Sequence, residues 1–212
     1  MVLRRWGWTG LLLVAGLALW MLLAGSGALL GVDLGMLGSA LLLGTAWVAL
    51  YAVSTTPPDA LEQGMAPGEW QSWVGTVFMC AATLYFVSKL HVFQGESIAH
   101  APHSRVVARN LVVLLIAWTV LSRVLASRWK DRVQADERDR EIEARAASWG
   151  RGILIFAVVT LAVTLGLSPA DRLVWATPFM IGNVLILLLM CSWLAEYAAT
   201  AALYWRDRRC MA

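Results

Sequence analysis

Long apolar runs separated by short polar segments make up most of the chain. A helix rises 1.5 Å per residue, so a run of about twenty apolar residues matches the hydrocarbon core of a bilayer. Six runs of about this length predict an all-α membrane protein, a six-transmembrane-helix bundle in one domain over residues 1–212. The predicted spans are residues 10–31, 34–54, 73–93, 111–129, 152–167 and 177–204.

Composition supports this interpretation. Hydrophobic residues make up 59% of the chain and charged residues only 15%, against about 25% charged in soluble domains. Many tryptophans fall near the ends of the predicted spans, where their amphipathic rings favour the headgroup level of a membrane. These are Trp6, Trp8, Trp70, Trp73, Trp129, Trp149, Trp175 and Trp205. The pattern indicates an aromatic belt and makes the lipid bilayer the first expected partner.

The first apolar run, after Arg4 and Arg5, has two interpretations. It resembles a secretory signal peptide, with Ser26-Gly27-Ala28 as a small-residue cleavage site. The run is, however, longer than the 7–15 residues typical of a signal peptide's apolar region, and a second apolar run follows almost at once. A retained first helix is therefore favoured over cleavage.

The distribution of Lys and Arg predicts the orientation. With the N-terminus inside, six spans place twelve basic residues on the cytoplasmic side and four on the other, as the positive-inside rule requires. The cytoplasmic set is Arg4, Arg5, Arg128, Lys130, Arg132, Arg138, Arg140, Arg145, Arg151, Arg206, Arg208 and Arg209, and the outer set is Lys89, Arg105, Arg109 and Arg172. We therefore expect a multi-pass protein of a bacterial inner (cytoplasmic) membrane, with both termini in the cytoplasm.

One long charged segment, the connector at residues 130–151, interrupts the apolar pattern. Its six basic residues are balanced by Asp131, Asp136, Glu137, Asp139, Glu141 and Glu143. A net charge near zero argues against an anionic-lipid patch and against nucleic acid as a partner, since both need surplus positive charge.

The connector also has the features of a helix. Asp136 suits the N-cap, and the pairs Asp136–Arg140 and Glu141–Arg145 have favourable i,i+4 spacing. Glycine and proline are absent between Asp136 and Gly150. We expect a cytoplasmic helical extension of the fifth span, which either is simply solvated or docks a soluble cytoplasmic partner.

Two short segments carry a resemblance to known proteins. They are Asp136-Glu137-Arg138-Asp139-Arg140-Glu141-Ile142 before the fifth span, and Leu194-Ala195-Glu196 with Tyr204-Trp205-Arg206 in the sixth. In these segments the last third of the chain resembles a loose group of small, uncharacterised bacterial membrane proteins. Those proteins carry an Asp-Glu-Arg-Asp/Glu motif before a transmembrane helix and end in an apolar helix with a Glu and a Tyr-Arg tail, which Trp205 interrupts here. The resemblance implies a membrane location and transfers no activity.

All three histidines lie close together in the sequence at the predicted outer face. His91, Glu96, His100 and His103 form a possible ligand set for a transition metal such as zinc, copper or nickel. The alternative is that they are solvated loop residues, and no other cofactor is expected.

A second candidate site is a charge pair inside the membrane. Arg123 on the fourth span and Glu196 on the sixth both fall in the cytoplasmic third of their helices. An unpaired charge costs about 2.5–3.5 kcal/mol at the bilayer centre, so pairing would lower the cost of both. The alternative is that each side chain reaches the headgroups separately.

The remaining patterns bear on the class of function. A small-residue face on the sixth span suits close helix packing, within the bundle or in a homo-oligomer. It consists of Ala195, Ala198, Ala199 and Ala202. Because the connectors carry none of the common catalytic motifs, an enzyme is the least favoured class. The sequence favours a non-enzymatic interaction or signalling protein working through the connector, with a small transporter or channel for an ion or transition metal as the alternative.

Overall fold

A computed structural model of the chain describes residues 2–24, 28–29, 32–54, 67–91, 102–130 and 137–211. Apart from one two-residue strand pair and short turns, this part of the chain is helical. The helices are α1 (Val2–Ala24), α2 (Leu34–Ser54), α3 (Pro67–Lys89), α4 (Pro102–Lys130), α5 (Glu137–Leu167) and α6 (Pro178–Met211). The strands β1 (Ala28–Leu29) and β2 (Val32–Asp33) pair antiparallel between α1 and α2.

Proline and acidic residues mark where several helices begin. Three of the helices, α3, α4 and α6, start with proline, whose missing N–H costs nothing in the first turn. The side-chain oxygen of Thr177 accepts a hydrogen bond from the backbone N–H of Met180 at 3.1 Å and so caps α6. Glu69 in the first turn of α3, and Glu137 in that of α5, place negative charge at the positive end of the helix dipole.

The chain forms two compact units. The first contains residues 1–74 and 106–134, and the second contains residues 75–105 and 135–212. In the first unit α1 packs on α2. A Cβ at Gly38 of α2 would lie 2.8 Å from the carbonyl oxygen of Ala18 and 2.9 Å from the amide nitrogen of Leu22. The two backbones therefore approach as closely as only a glycine permits.

In the second unit α5 packs on α6 over much of their length. A 3-10 turn at Ala170–Arg172 lies in the connection between them. A Cβ at Gly150 would lie 3.1 Å from the carbonyl oxygen of Ser192, so glycine again sits at the close approach. The hydroxyl of Ser192 donates a hydrogen bond to the carbonyl oxygen of Gly150 at 2.9 Å.

Four helices of the described chain are long and apolar enough to cross a membrane. Their apolar stretches lie within Leu34–Ala52, Ser104–Val124, Glu137–Leu167 and Pro178–Arg209. The apolar part of α1 over Thr9–Leu23 is shorter, and α3 carries polar residues in its first turns. The predicted all-α fold is thus confirmed, with four helices that are long and apolar enough to cross a membrane.

Polar side chains within these helices are largely bonded to their own backbone. The hydroxyl of Thr160 donates to the carbonyl of Phe156 at 2.8 Å, and that of Thr164 donates to the carbonyl of Thr160 at 2.8 Å. Around them α5 exposes large apolar side chains, with Phe156 at 74% and Leu167 at 81% exposure. A helix with its polar groups satisfied internally and its apolar groups outward suits a lipid environment.

Several boundaries differ from those expected. The third helix begins at Pro67, ahead of the expected span at 73–93, which turns the sequence around Glu69 from a loop into a first turn. The fourth helix begins at Pro102, ahead of the expected span at 111–129, and so takes in Arg105 and Arg109. The fifth helix begins at Glu137, which agrees with the helical extension expected through the charged connector. The sixth helix runs past the expected end at residue 204 into charged sequence, to Met211.

Candidate functional site

The charged ends of α5 and α6 are joined by two polar contacts. Arg138 forms an ion pair with Asp207, and the hydroxyl of Tyr204 donates a hydrogen bond to Asp139 Oδ1 at 3.0 Å. We call these four residues, Arg138, Asp139, Tyr204 and Asp207, the polar clamp. It holds the first turn of α5 against the last turns of α6.

Helical spacing explains the clamp. Tyr204 and Asp207 are three residues apart, so they lie on the same face of α6. The neighbours Arg138 and Asp139 lie side by side in the first turn of α5. Tyr204 is 7% exposed, whereas the side chains of Arg138 and Asp207 are 43% and 36% exposed. The hydrogen bond is therefore the sheltered part of the clamp, and the ion pair is its solvated rim.

One turn further along α5, Glu143 adds a third carboxylate to this end of the helix pair. Glu143 lies in the charged half of α5 (Glu137–Arg151), outside the apolar segment that begins at Gly152. Partial burial, and then the negative charges of Asp139 and Glu196, raise the pKa of the Glu143 carboxyl above its ordinary value. Negative charge at this position is therefore disfavoured in the folded protein.

The opposite side of the charged half of α5 faces solvent. Glu141 and Arg145 form the predicted i,i+4 ion pair at 3.2 Å, and both side chains are exposed. The exposed neighbours on this side include Glu137, Arg140, Ala144 and Ser148. One face of the segment thus packs on α6, and the other face is exposed and carries both acidic and basic side chains.

The predicted metal ligands are divided between described and undescribed parts of the chain. Glu96 and His100 lie outside the described residues. His91 is exposed just after α3, and His103 belongs to the first turn of α4. Within the residues that the structure describes, no three His, Cys, Asp or Glu side chains are arranged to hold a metal ion. Metal binding by this set stays a prediction.

The predicted charge pair also stays a prediction. Arg123 belongs to the first unit and its side chain is exposed on α4. Glu196 belongs to the second unit, where its Oε2 would lie 3.4 Å from a Cβ at Gly150. Glu196 therefore packs on α5 and contributes to the electrostatics of Glu143. Asp136, the expected N-cap of α5, lies outside the described residues.

The contacts across the helix pair were not anticipated from the sequence. Asp207 was not singled out at all, and Tyr204 was noted only as part of a motif. A usable signal existed, because two charged segments singled out in the sequence, residues 136–142 and 204–206, contact each other through Asp139 and Tyr204. The first turn of one helix and the last turn of the next lie at the same end of a helical hairpin, so charged motifs there are natural candidates for such a contact.

No protein-family model, curated protein or solved structure matches the chain.

Proposed function

We propose that the chain is a six-span protein of a bacterial inner membrane, with both termini in the cytoplasm. We further propose that it acts without catalysis, as an interaction or signalling protein working through the charged half of α5. The basic residues concentrated on one side of the predicted spans support the orientation. The four apolar helices support the membrane location.

The observation that carries the proposed activity is the division of the charged half of α5 into two faces. The polar clamp fixes one face to α6. The other face exposes Glu137, Arg140, Glu141 and Arg145 along about two and a half turns of helix. Because the backbone of this surface is already helical, a docking partner has only its side chains to order.

The orientation is tested by cysteine labelling in whole cells, after the three native cysteines are replaced by serine. We expect Ala170→Cys, in the exposed α5–α6 turn, to react with a membrane-impermeant maleimide from outside. Ala144→Cys, in the charged half of α5, should react only after the membrane is opened. The reverse pattern would overturn the orientation.

The interaction role is tested by a photoreactive amino acid at Ala144, with Phe156 as the matched control. Both positions are exposed on α5, but Phe156 lies in the apolar segment. In native membranes we expect a discrete protein adduct from position 144 that disappears when Glu141 and Arg145 are both changed to Ala, and no such adduct from position 156. Adducts that are the same from both positions would contradict the proposal.

One observation favours the alternative, a small transporter or channel for an ion or transition metal. Within the first unit, the side-chain nitrogen Nδ2 of Asn110 on α4 is buried and has no hydrogen-bond partner among the described residues. Buried polar atoms normally have partners, and water supplies them along a permeation path. Ion flux into proteoliposomes that is abolished by Asn110→Leu, but kept by the neighbouring exposed change Val113→Leu, would establish this alternative.

A further inference from the structure

Three carboxylates lie along the contact between the charged half of α5 and α6. Asp139 and Glu143 are four residues apart, so they share the side of α5 nearest α6. Glu196 comes from the facing helix, where its side chain lies against Gly150. The two helices are thus held together along a line that carries three acidic groups.

The charges that act on Glu143, at the middle of this line, have one sign. Both Asp139 and Glu196 act on its carboxyl, and both are negative. The nearest basic side chains of α5 are directed elsewhere. Arg138 forms the ion pair with Asp207 at the rim of the polar clamp, and Arg140, three residues before Glu143, is exposed.

The facing part of α6 supplies a hydroxyl and further exposed charges. The hydroxyl of Tyr204 donates its hydrogen bond to Asp139 Oδ1. The basic residues of this helix end follow Tyr204 in the chain and are exposed; they are Arg206, Arg208 and Arg209. Ionisation of Glu143 therefore adds a third negative charge to a contact where the other two already repel it.

The contacts on the two sides of Glu143 differ in strength. Toward the middle of the helix pair, Ala146 is fully buried, and the hydroxyl of Ser192 donates to the carbonyl oxygen of Gly150 at 2.9 Å. Toward the helix ends, the polar clamp consists of one hydrogen bond and one solvated ion pair. Repulsion at Glu143 therefore acts first on the clamp.

We propose that this end of the α5–α6 pair is a pH-sensitive latch, closed when the Glu143 carboxyl carries a proton and loosened when it is ionised. In the closed form the neutral Glu143 lies between Asp139 and Glu196, and Tyr204 keeps its bond to Asp139. On ionisation the proton passes to water, and the charged half of α5 moves away from α6. The latch lies on the inner face of α5, so it does not depend on a partner docking on the exposed face.

The direction of the pH effect follows from proton linkage. Burial, and then the charges of Asp139 and Glu196, raise the pKa of Glu143 in the closed form. A carboxyl with a higher pKa in the closed form takes up protons on closing. The closed form is therefore favoured at low pH, and it loses that advantage as the pH rises from the ordinary glutamate value of about 4.3 through the raised one.

Glu143 and Glu141 are a matched pair for testing the latch. They are two residues apart on α5, but Glu141 lies on the exposed face, where it pairs with Arg145. The changes Glu143→Gln and Glu141→Gln each remove one negative charge from the same helix end. Only the first removes the charge that faces Asp139 and Glu196.

The measurement is the distance between spin labels on the full-length protein in detergent, by pulsed electron spin resonance at pH 4 and pH 8. The native cysteines are replaced by serine, and labels are attached through Ala144→Cys and Ala202→Cys, at two exposed positions. We expect a longer and broader distance at pH 8 than at pH 4. Glu143→Gln should keep the short distance at both pH values, and Glu141→Gln should respond as the parent does.

A second label pair separates the latch from general loosening. Ile155→Cys and Ile186→Cys are exposed positions beyond the Gly150–Ser192 contact, and their distance should be the same at both pH values. The latch is overturned by a 144–202 distance that does not lengthen between pH 4 and pH 8, or by the same lengthening in Glu143→Gln. Loss of the response in Glu141→Gln, or an equal change at 155–186, would also overturn it.

Discussion

The α1–α2 pair and the α5–α6 pair each hold two helices together, but by different contacts. At Gly38 the α1 and α2 backbones are nearly in contact, and the surrounding buried residues include Ala18, Leu22 and Leu42. At α5–α6 a glycine contact at Gly150 is supplemented by polar side-chain contacts at the charged end. The α1–α2 pair is thus joined by close backbone contact, whereas polar contacts add specificity at the charged end of the α5–α6 pair.

The largest effect is expected from adding one methyl group at Gly38. Gly38→Ala would place a Cβ under 3.0 Å from the backbone of α1, so the helices must separate. We expect a loss of about 1–3 kcal/mol in the free energy of unfolding. The control is Gly44→Ala on the same helix, where a Cβ meets nothing within 4 Å. Thermal unfolding in detergent measures both, and equal melting temperatures would disprove the close approach.

Removing the hydroxyl of Tyr204 tests the sheltered part of the polar clamp. Tyr204→Phe keeps the buried ring and removes the donor to Asp139. We expect the free energy of unfolding to fall by about 1–2 kcal/mol, because a hydrogen bond to a charged acceptor disappears while Asp139 becomes partly hydrated. Trp205→Phe, on the exposed side of the same helix, is the control. A Tyr204→Phe variant as stable as wild type would show that the clamp does not hold the helices.

A double-mutant cycle on Arg138 and Asp207 measures the solvated rim of the clamp. Both side chains are more than a third exposed, so solvent screens the pair. We expect a coupling of about 0.2–1 kcal/mol that decreases with added salt. The Glu141–Arg145 pair within α5 serves as the comparison, with about 0.3–0.5 kcal/mol for an exposed i,i+4 pair. A coupling that does not respond to salt would mean that the rim is not solvated.

The smallest expected effect is an increase in the free energy of unfolding that depends on pH. The pKa of Glu143 is raised in the folded protein, so its ionised form is the less favourable one there. Glu143→Gln should therefore stabilise the protein by about 0.5 kcal/mol or less at pH 7, since the side chain is partly solvated. The gain should shrink as the pH falls through the folded pKa and vanish below the unfolded value of about 4.3. A gain that is the same at pH 4 and pH 7 would exclude this cause.

The features that could be predicted from the sequence are those that depend on helical periodicity and on the length of an apolar run. Four of the six predicted apolar spans, the start of the last helix within one residue of the predicted 177, and the Glu141–Arg145 pair follow from local rules, and the structure contains all three. The polar clamp could not be derived in this way. Asp139 and Tyr204 are 65 residues apart, and which side chains meet depends on the register of two antiparallel helices.

The partners of Glu196 illustrate the same limit. Its charge and its position in an apolar span were visible in the sequence and led to the expected pairing with Arg123, which stays a prediction. In the structure the glutamate packs on Gly150 of α5 and adds to the negative charge near Glu143. Gly150 carries no charge, so a search of the sequence for oppositely charged partners of Glu196 does not identify this contact.

The separation of the two halves of the polar clamp along the chain has a consequence during synthesis. Tyr204 leaves the ribosome 65 residues after Asp139. At about 5–20 residues per second, this is a delay of roughly 3–13 s. Throughout that interval Asp139 has been synthesised but its tyrosine partner has not. The contact between the charged half of α5 and α6 therefore forms late in synthesis. A nascent chain interrupted before Tyr204 exposes the face of α5 that normally packs on α6, where chaperones and proteases can bind it.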